Sequence, residues 1–473
     1  MAQRRFPPGP STLTALRGLR DLSGGRDLSS LAAFLADLAR RYGGIAHWTL
    51  FGRHFYFLDD PGLIEEALVL RSRDFMKGRG IQRLKRLVGN GLLSSEEPLH
   101  LRQRQMMQPA FHRERIAGYG QQMVAAADAQ IAGWQSGSTL EVDVEMTRLA
   151  LTIAAQTLFS TTMVEQTETI RAALTTALRA FPASMSRFSE LLDAFAFLPV
   201  TRRFLRARAQ LDSVIYGLIE ARRNGSDAGR DDLLGMLLAA RDGEGAMNDV
   251  QIRDEAMTLF LAGHETTANA LAWTWYLLAR HPAAALHLRA ELDEVLGGRL
   301  PAASDLPRLR FTRDVFAETM RLYPPAWVVG RRALRDTRLG EYLVPRGSIV
   351  LASQLVTHRN PRYWTEPDAF APDRWSSAGA PPRFAYFPFG GGTRRCIGES
   401  FAWMEGVLLI ATIARRFTFD AVDRATVEIE PLVTLRPRSA VRVRVGAHAT
   451  EGFVLHPSAD EAPSLPDAAA QAG

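Results

Sequence analysis

The longest helical pattern in the chain runs from about Asn248 to His281, and Pro282 ends it. At the rise of an α-helix it would span roughly 50 Å, enough to cross a whole domain. The fold must therefore be wrapped around this one helix. Its middle breaks local rules: Ala262-Gly263-His264-Glu265-Thr266-Thr267 sets a glycine, an acid and two β-branched alcohols inside a buried helix. Gly263 alone costs about 1 kcal/mol against alanine. Departures of this kind in mid-helix concentrate at functional sites.

Most of the chain from Asp60 up to His281 also reads as helix, broken at Asn90-Gly91, Gly137, Phe181-Pro182 and Asn224-Gly225. β-like runs are sparse. Ile45 to Leu50 and His54 to Leu58 flank a turn at Gly52, and strand-like segments return at Gly340 to Leu351 and Ala425 to Val445. Phe6-Pro7-Pro8-Gly9-Pro10 is a stiff, extended lead-in. The tail after Gly446 is small, polar and punctuated by proline, a composition that favours disorder. With 47% hydrophobic and 23% charged residues, 473 residues can build a large core. Neither an internal repeat nor a Ser/Gly linker divides it. The expectation is a mainly α fold with small β-sheets, one domain over residues 1–446, then a disordered tail over 447–473.

Composition also excludes function classes. No run reaches the roughly 18 apolar residues of a membrane span. Two arginines near the N-terminus have no apolar core behind them, so it does not read as a secretory signal and the chain reads as cytoplasmic. The net charge of +6 comes almost entirely from arginine, Lys77 and Lys85 being the only lysines, and no basic run with interleaved aromatics points to nucleic acid. Cys396 is the only cysteine, which excludes an intramolecular disulfide, a Cys-rich zinc site and a self-held iron–sulfur cluster. A cysteine nucleophile, a single thiolate metal ligand and an inert buried thiol stay open.

That cysteine stands in Phe389-Gly390-Gly391-Gly392-Thr393-Arg394-Arg395-Cys396-Ile397-Gly398, ahead of an apolar helical run from Phe401. Three glycines permit a backbone path and a close approach denied to other residues. A helix N-terminus beside arginine favours a thiolate. The arrangement suits a metal carried in a planar anionic cofactor, with Arg394 able to pair with a carboxylate of it.

The segment resembles the F-x-x-G-x-R-x-C-x-G signature of the cytochrome P450 family, the haem-thiolate monooxygenases. Two further matches follow in the family's order over roughly Pro7 to Val445. Glu318-x-x-Arg321, with Pro372-Asp373-Arg374-Trp375 downstream, is similar to the family's structural triad, here Glu318, Arg321 and Arg374; Trp375 stands where phenylalanine is common. Taken alone, a Glu-x-x-Arg pair reads as a solvated surface pair. Ala262 to Thr267 fits the motif of the helix that crosses the distal haem face.

The resemblance implies haem b between that helix and the cysteine helix. Cys396 would be the iron ligand, Phe389 would shield its sulfur, and backbone N–H groups after it, near Gly398, would moderate the sulfur's donation. Gly390 belongs to the same loop. Ala262 and Gly263 would let O2 approach; Thr266 would hydrogen-bond it and Glu265 would feed protons. The alternative for Thr266 is a hydroxyl bonded back to a helix carbonyl. His264 receives no role. His100 and Arg104, together with Arg331 (which has Arg332 beside it) and Arg394, would hold the haem propionates.

Segments similar to the family's substrate-contact regions are apolar: Leu84 and Leu87, then Phe181, Met185 and Phe188, then Val328 and Val329, then Leu432 and Val433. A lipophilic substrate such as a fatty acid, terpenoid, carotenoid or steroid is expected. The implied reaction inserts one oxygen atom of O2. Electrons would come from NAD(P)H only indirectly, through ferredoxin and ferredoxin reductase acting on a monomer with no transmembrane anchor. The rival readings are a haem-binding sensor or carrier without catalysis, and a peroxide-driven or isomerising haem-thiolate enzyme.

Overall fold

The long pattern folds as one helix, Asp249–Arg280. Asn248 caps it, its side chain accepting from the Gln251 N–H at 2.9 Å. Pro282 opens the next helix, Pro282–Leu296, in the first turn where no N–H is needed. Every residue from Thr267 to Ala279 is buried, so this is a core helix with no solvent face. A computed structural model describes residues 6–18, 28–160, 167–180, 199–224, 232–242, 245–377, 379, 381–423 and 425–447.

Around the second half of the long helix, Trp273, Trp275 and Leu277 share one apolar core with three neighbouring helices. Met146 and Leu149 come from Val142–Phe159, Val315 and Phe316 from Arg310–Leu322, and Leu408 and Ile410 from the cysteine helix Glu399–Ala414. Its first half packs in a separate cluster with Leu84, Leu87 and Leu158. The expected mainly α architecture is what folds.

The β material is partly where the sequence places it. Ile45–Leu50 and Arg53–Leu58 form the expected antiparallel hairpin. Arg53–Leu58 then pairs in parallel with Ile349–Ala352, and the sheet continues through Val329–Ala333 to Phe75–Lys77. Those last two strands correct the sequence expectation: Phe75–Lys77 interrupts a stretch read as helix, and Val329–Ala333 lies ahead of the expected strand region. Runs this short carry too little alternation to be recognised without their partners. Near the C-terminus, Ile429–Pro431 and Leu435–Pro437 make a hairpin. Phe417–Ala421, Arg442–Ala447 and Thr139–Glu141 make a small sheet.

The Glu-x-x-Arg pair is no surface pair. Glu318 and Arg321 are both fully buried, joined by Arg321 Nε to Oε2 at 2.9 Å and Arg321 Nη2 to Oε1 at 2.8 Å. Arg374 Nε donates to Glu318 Oε1 at 2.9 Å. Trp375, the departure from the family pattern, adds a fourth member: its Nε1 donates to Glu318 Oε2 at 3.0 Å, which phenylalanine could not do. Arg321 spends its remaining hydrogens on the carbonyls of His358, Pro367 and Ala369. The hub ties the helix Arg310–Leu322 to the chain that leads into the cysteine loop.

Candidate active site

Between Ala262 and Ala279 the long helix leaves only Ala262, Gly263 and Thr266 partly accessible. Spacings of three and four residues, from Gly263 and Ala262 to Thr266, put them on one helix face. A Cβ on Gly263 would meet nothing closer than Leu158 at 3.9 Å, so that face borders open space. Thr266 donates its hydroxyl to the Ala262 carbonyl at 2.7 Å, the local bond that helical threonines make.

Across from it, the glycine loop takes a path that needs glycine. Gly392 has φ +69°, and a Cβ there would lie 2.1 Å from the Leu68 carbonyl oxygen. The loop closes where the Cys396 N–H donates to the Phe389 carbonyl at 3.0 Å. Gly398 then leads into the cysteine helix, and its N–H bonds to the sulfur. Phe389, half-buried, lies 6.0 Å from Trp403, ring to ring.

Cys396 keeps accessible area, yet protein surrounds it closely enough for burial to push its thiol up to about 11. Both hold if the sulfur faces an internal space and not bulk water. Burial outweighs the Gly398 N–H, Arg104 and Arg395, all of which pull the other way. Those pulls have the direction that a helix N-terminus beside arginine implies, and burial opposes them. A metal cation on the sulfur would supply the charge that favours a thiolate.

Of the propionate candidates, His100 and Arg331 both lie near Arg394, while Arg104 stands beside Cys396. His100 is buried, its Nδ1 3.0 Å from Glu97 Oε1. Arg104 Nη1 donates to the Arg395 carbonyl at 2.8 Å. Strand alternation decides between the adjacent arginines: Arg331 is buried and Arg332 exposed. Arg394 Nη2 donates to Glu96 Oε2 at 2.6 Å, while its Nη1 is buried with no partner. Lys77, which sequence reasoning missed, pairs with Arg331 across the sheet and is buried. Its Nζ donates to the carbonyls of Leu92 and Ser95 at 2.7 and 2.8 Å. Burial and the Arg394 charge bring the Lys77 ammonium down to about 7. Its signal was the pattern Phe75-Met76-Lys77, in which Phe75 and Lys77 share the buried face.

These donors pass a test for haem. Arg331 and Arg394 outnumber Glu96, the carboxylate beside both, and buried cations without counter-charge are costly. Two propionates would supply that charge. Sulfur from Cys396 would serve one side of the ring, and the accessible face at Ala262, Gly263 and Thr266 would serve the other. The two helices meet where Thr267 Oγ1 donates to Glu405 Oε2 at 3.0 Å.

Glu265 is buried and turned toward the C-terminal hairpin. Its Oε1 accepts from Arg436 Nε at 2.6 Å, Thr434 Oγ1 at 2.7 Å and Asn269 Nδ2 at 3.1 Å. Burial pushes its carboxyl up, but Arg436, His264 and Thr434 hold it below the usual range.

Of the candidate substrate contacts, Leu84 and Leu87 share the apolar cluster of Leu158, Leu259 and Leu261, and Val433 packs against it. Leu432 is buried, its carbonyl taken by Trp327 Nε1 at 3.1 Å. Val328 and Val329 are half-buried and pack against other clusters, so the structure does not bring them into that wall. Phe181, Met185 and Phe188 lie outside the described residues, as does the tail from residue 448. Among the described residues, no helix is long and apolar enough to cross a membrane.

A profile of the family described as Cytochrome P450 matches residues 7–442. Cyclooctatin synthase of Streptomyces melanosporofaciens is 38% identical over 413 residues, 85% of this chain and 88% of its own. Cyclooctat-9-en-7-ol 5-monooxygenase of the same organism is 37% identical over 403 residues, 83% of this chain and 86% of its own. Pentalenene oxygenase of Streptomyces avermitilis is 34% identical over 403 residues, covering 82% of this chain and 86% of that one.

Proposed function

The chain belongs to the cytochrome P450 family and is an oxygen-incorporating oxidoreductase, and from that premise we propose that it hydroxylates a terpenoid. The observation that carries this reading is the accessible face in the middle of the long helix, Ala262, Gly263 and Thr266, beside a wall of Leu84, Leu87, Leu158 and Val433. A hydrocarbon skeleton suits such a wall. Two relatives named for oxygenating cyclooctat-9-en-7-ol and pentalenene support the same class.

In this reading Cys396 ligates the iron, with the Gly398 N–H drawing charge from the sulfur and Phe389 covering it. His100, Arg104, Arg331 and Arg394 hold the propionates, and Lys77 adds a cation to that side. Bound haem supplies the iron on which O2 is activated. With haem bound, the Thr266 hydroxyl, now on the Ala262 carbonyl, would be the proton donor on the distal face, and Glu265 would resupply its proton. Ferredoxin and its reductase supply the electrons from NAD(P)H.

The test is a spectral titration of the haem-loaded enzyme with monoterpenes, sesquiterpenes, diterpenes, fatty acids and steroids. Terpenoids should shift the spin state of the iron, and a shift with fatty acids or steroids alone would overturn the class. Cys396→Ser should abolish the thiolate-type spectrum of the reduced carbon monoxide complex. If that spectrum persists unchanged, Cys396 is not the ligand.

A further inference from the structure

Glu265 is anchored more firmly than a proton donor needs to be. Arg436 reaches its Oε1 twice, through Nε at 2.6 Å and Nη2 at 2.5 Å, and Thr434 reaches the same oxygen at 2.7 Å. Both partners come from the hairpin formed by Ile429–Pro431 and Leu435–Pro437 and the turn between its strands. One residue along a helix is a rotation of about 100°. A carboxylate held to the hairpin is therefore turned off the face shared by Ala262, Gly263 and Thr266.

The hairpin is itself pinned. Trp273 Nε1 donates to the Leu435 carbonyl at 3.3 Å, Trp327 Nε1 to the Leu432 carbonyl at 3.1 Å, and the Leu435 N–H to the Pro325 carbonyl at 2.9 Å. Its turn carries Val433, packed on the apolar cluster of Leu158 and Leu259. The anchor of the acid and the turn that borders the substrate wall are thus one piece of structure.

We propose that Arg436, assisted by Thr434, is a positioning residue that latches Glu265 to the C-terminal hairpin and withholds its proton path from the Thr266 face. The inference rests on the proton role given to Glu265 above. Among the described residues, the charged or titratable groups facing Glu265 are Arg436 from the hairpin and His264 on its own helix, with Nε2 3.9 Å from Oε2. Burial holds the His264 ring below its ordinary range, so Arg436 is the full charge opposite the acid. Without it, burial would raise the Glu265 carboxyl.

The experiment needs no substrate and no redox partner. The haem-loaded enzyme is reduced with dithionite and mixed with aerated buffer across mildly acid to alkaline pH, and the rate of haem reoxidation is followed optically. Arg436→Gln should reoxidise roughly 5- to 10-fold faster near neutral pH, with a pH midpoint about 1 to 3 pH units higher than wild type. Arg436→Lys, which keeps the charge, should stay within about 2-fold of wild type, and Thr434→Val should accelerate about 2-fold. The double variant Glu265→Gln/Arg436→Gln should lose the acceleration. An Arg436→Gln protein that binds haem and melts like wild type yet reoxidises at the wild-type rate overturns the latch. Should that variant fail to bind haem, a wild-type rate in Thr434→Val overturns it instead. If Glu265→Gln alone leaves coupled turnover unchanged, it is the proton role of Glu265 that fails.

Discussion

Glu265 and Glu405 stand on the long helix and the cysteine helix, both buried, and they are held in opposite charge states. Burial pushes both carboxyls up. At Glu265 the Arg436 guanidinium, His264 and Thr434 reverse that push. Glu405 has the Thr267 hydroxyl at 3.0 Å, and burial carries it to about 8, so it is mostly protonated near neutral pH. Depth in the protein sets the direction of the shift, and one well-placed guanidinium overturns it. Glu318 is a third buried acid, with no exposed surface and with two guanidinium groups and an indole N–H as partners.

The largest effect should come from removing the acid with the most compensation. Glu318→Ala leaves Arg321 buried without its counter-charge and should cost about 3 to 5 kcal/mol, read as a lower denaturant midpoint and loss of bound haem. Glu318→Gln keeps an acceptor for one donor and should lose less. A cost within experimental error for Glu318→Ala would mean that the carbonyls of His358, Pro367 and Ala369 satisfy Arg321 unaided.

Glu405→Gln should act in the opposite direction. The folded carboxyl titrates near 8, above its ordinary range, so the native state holds a proton that the unfolded chain gives up. The contribution is fully present below the unfolded value and is lost as pH rises through about 8. Glu405→Gln should therefore flatten the fall in stability between mildly acid and mildly alkaline pH and be the more stable protein at the alkaline end. Glu265 should show the reverse sign: its lowered carboxyl contributes stability above the unfolded value, lost as pH falls through the folded one. Denaturation midpoints across that range decide the first and midpoints below the ordinary carboxylate range the second, and parallel pH curves for wild type and Glu405→Gln would show that Glu405 is ionised after all.

Much of this site was legible because its chemistry lies in short contiguous runs. Ala262 to Thr267 announced itself by breaking helix rules, and the glycine loop by surrounding the only cysteine. Glu405 had a signal too, as the one acid between Phe401 and Ala414 in an otherwise apolar run. Arg331 and Arg332 could be told apart only by the alternation of a strand not recognised in advance. The Arg436 bond to Glu265 spans 171 positions and exists because a hairpin packs on the long helix, which no local pattern encodes. The balance of effects at Cys396 was not legible for a related reason. A helix N-terminus gives the direction of a shift, whereas its size depends on how much protein surrounds the sulfur.

The smallest expected effect tests the contact that joins the two helices. Thr267→Val keeps the shape of the side chain and removes the hydroxyl that donates to Glu405 Oε2. Below the titration of Glu405 the bond is between neutral groups, and its loss should cost about 1 kcal/mol. Above it the acceptor is a buried carboxylate, for which hydrogen bonds are worth about 1.5 to 3 kcal/mol, so the cost should grow as pH rises through about 8. The same substitution removes the one interaction that draws the Glu405 carboxyl down, so its titration should move higher still. A cost that stays constant with pH would show that Thr267 holds the helices together by shape, and that the opposite charge states of Glu265 and Glu405 owe nothing to the hydroxyl between the helices.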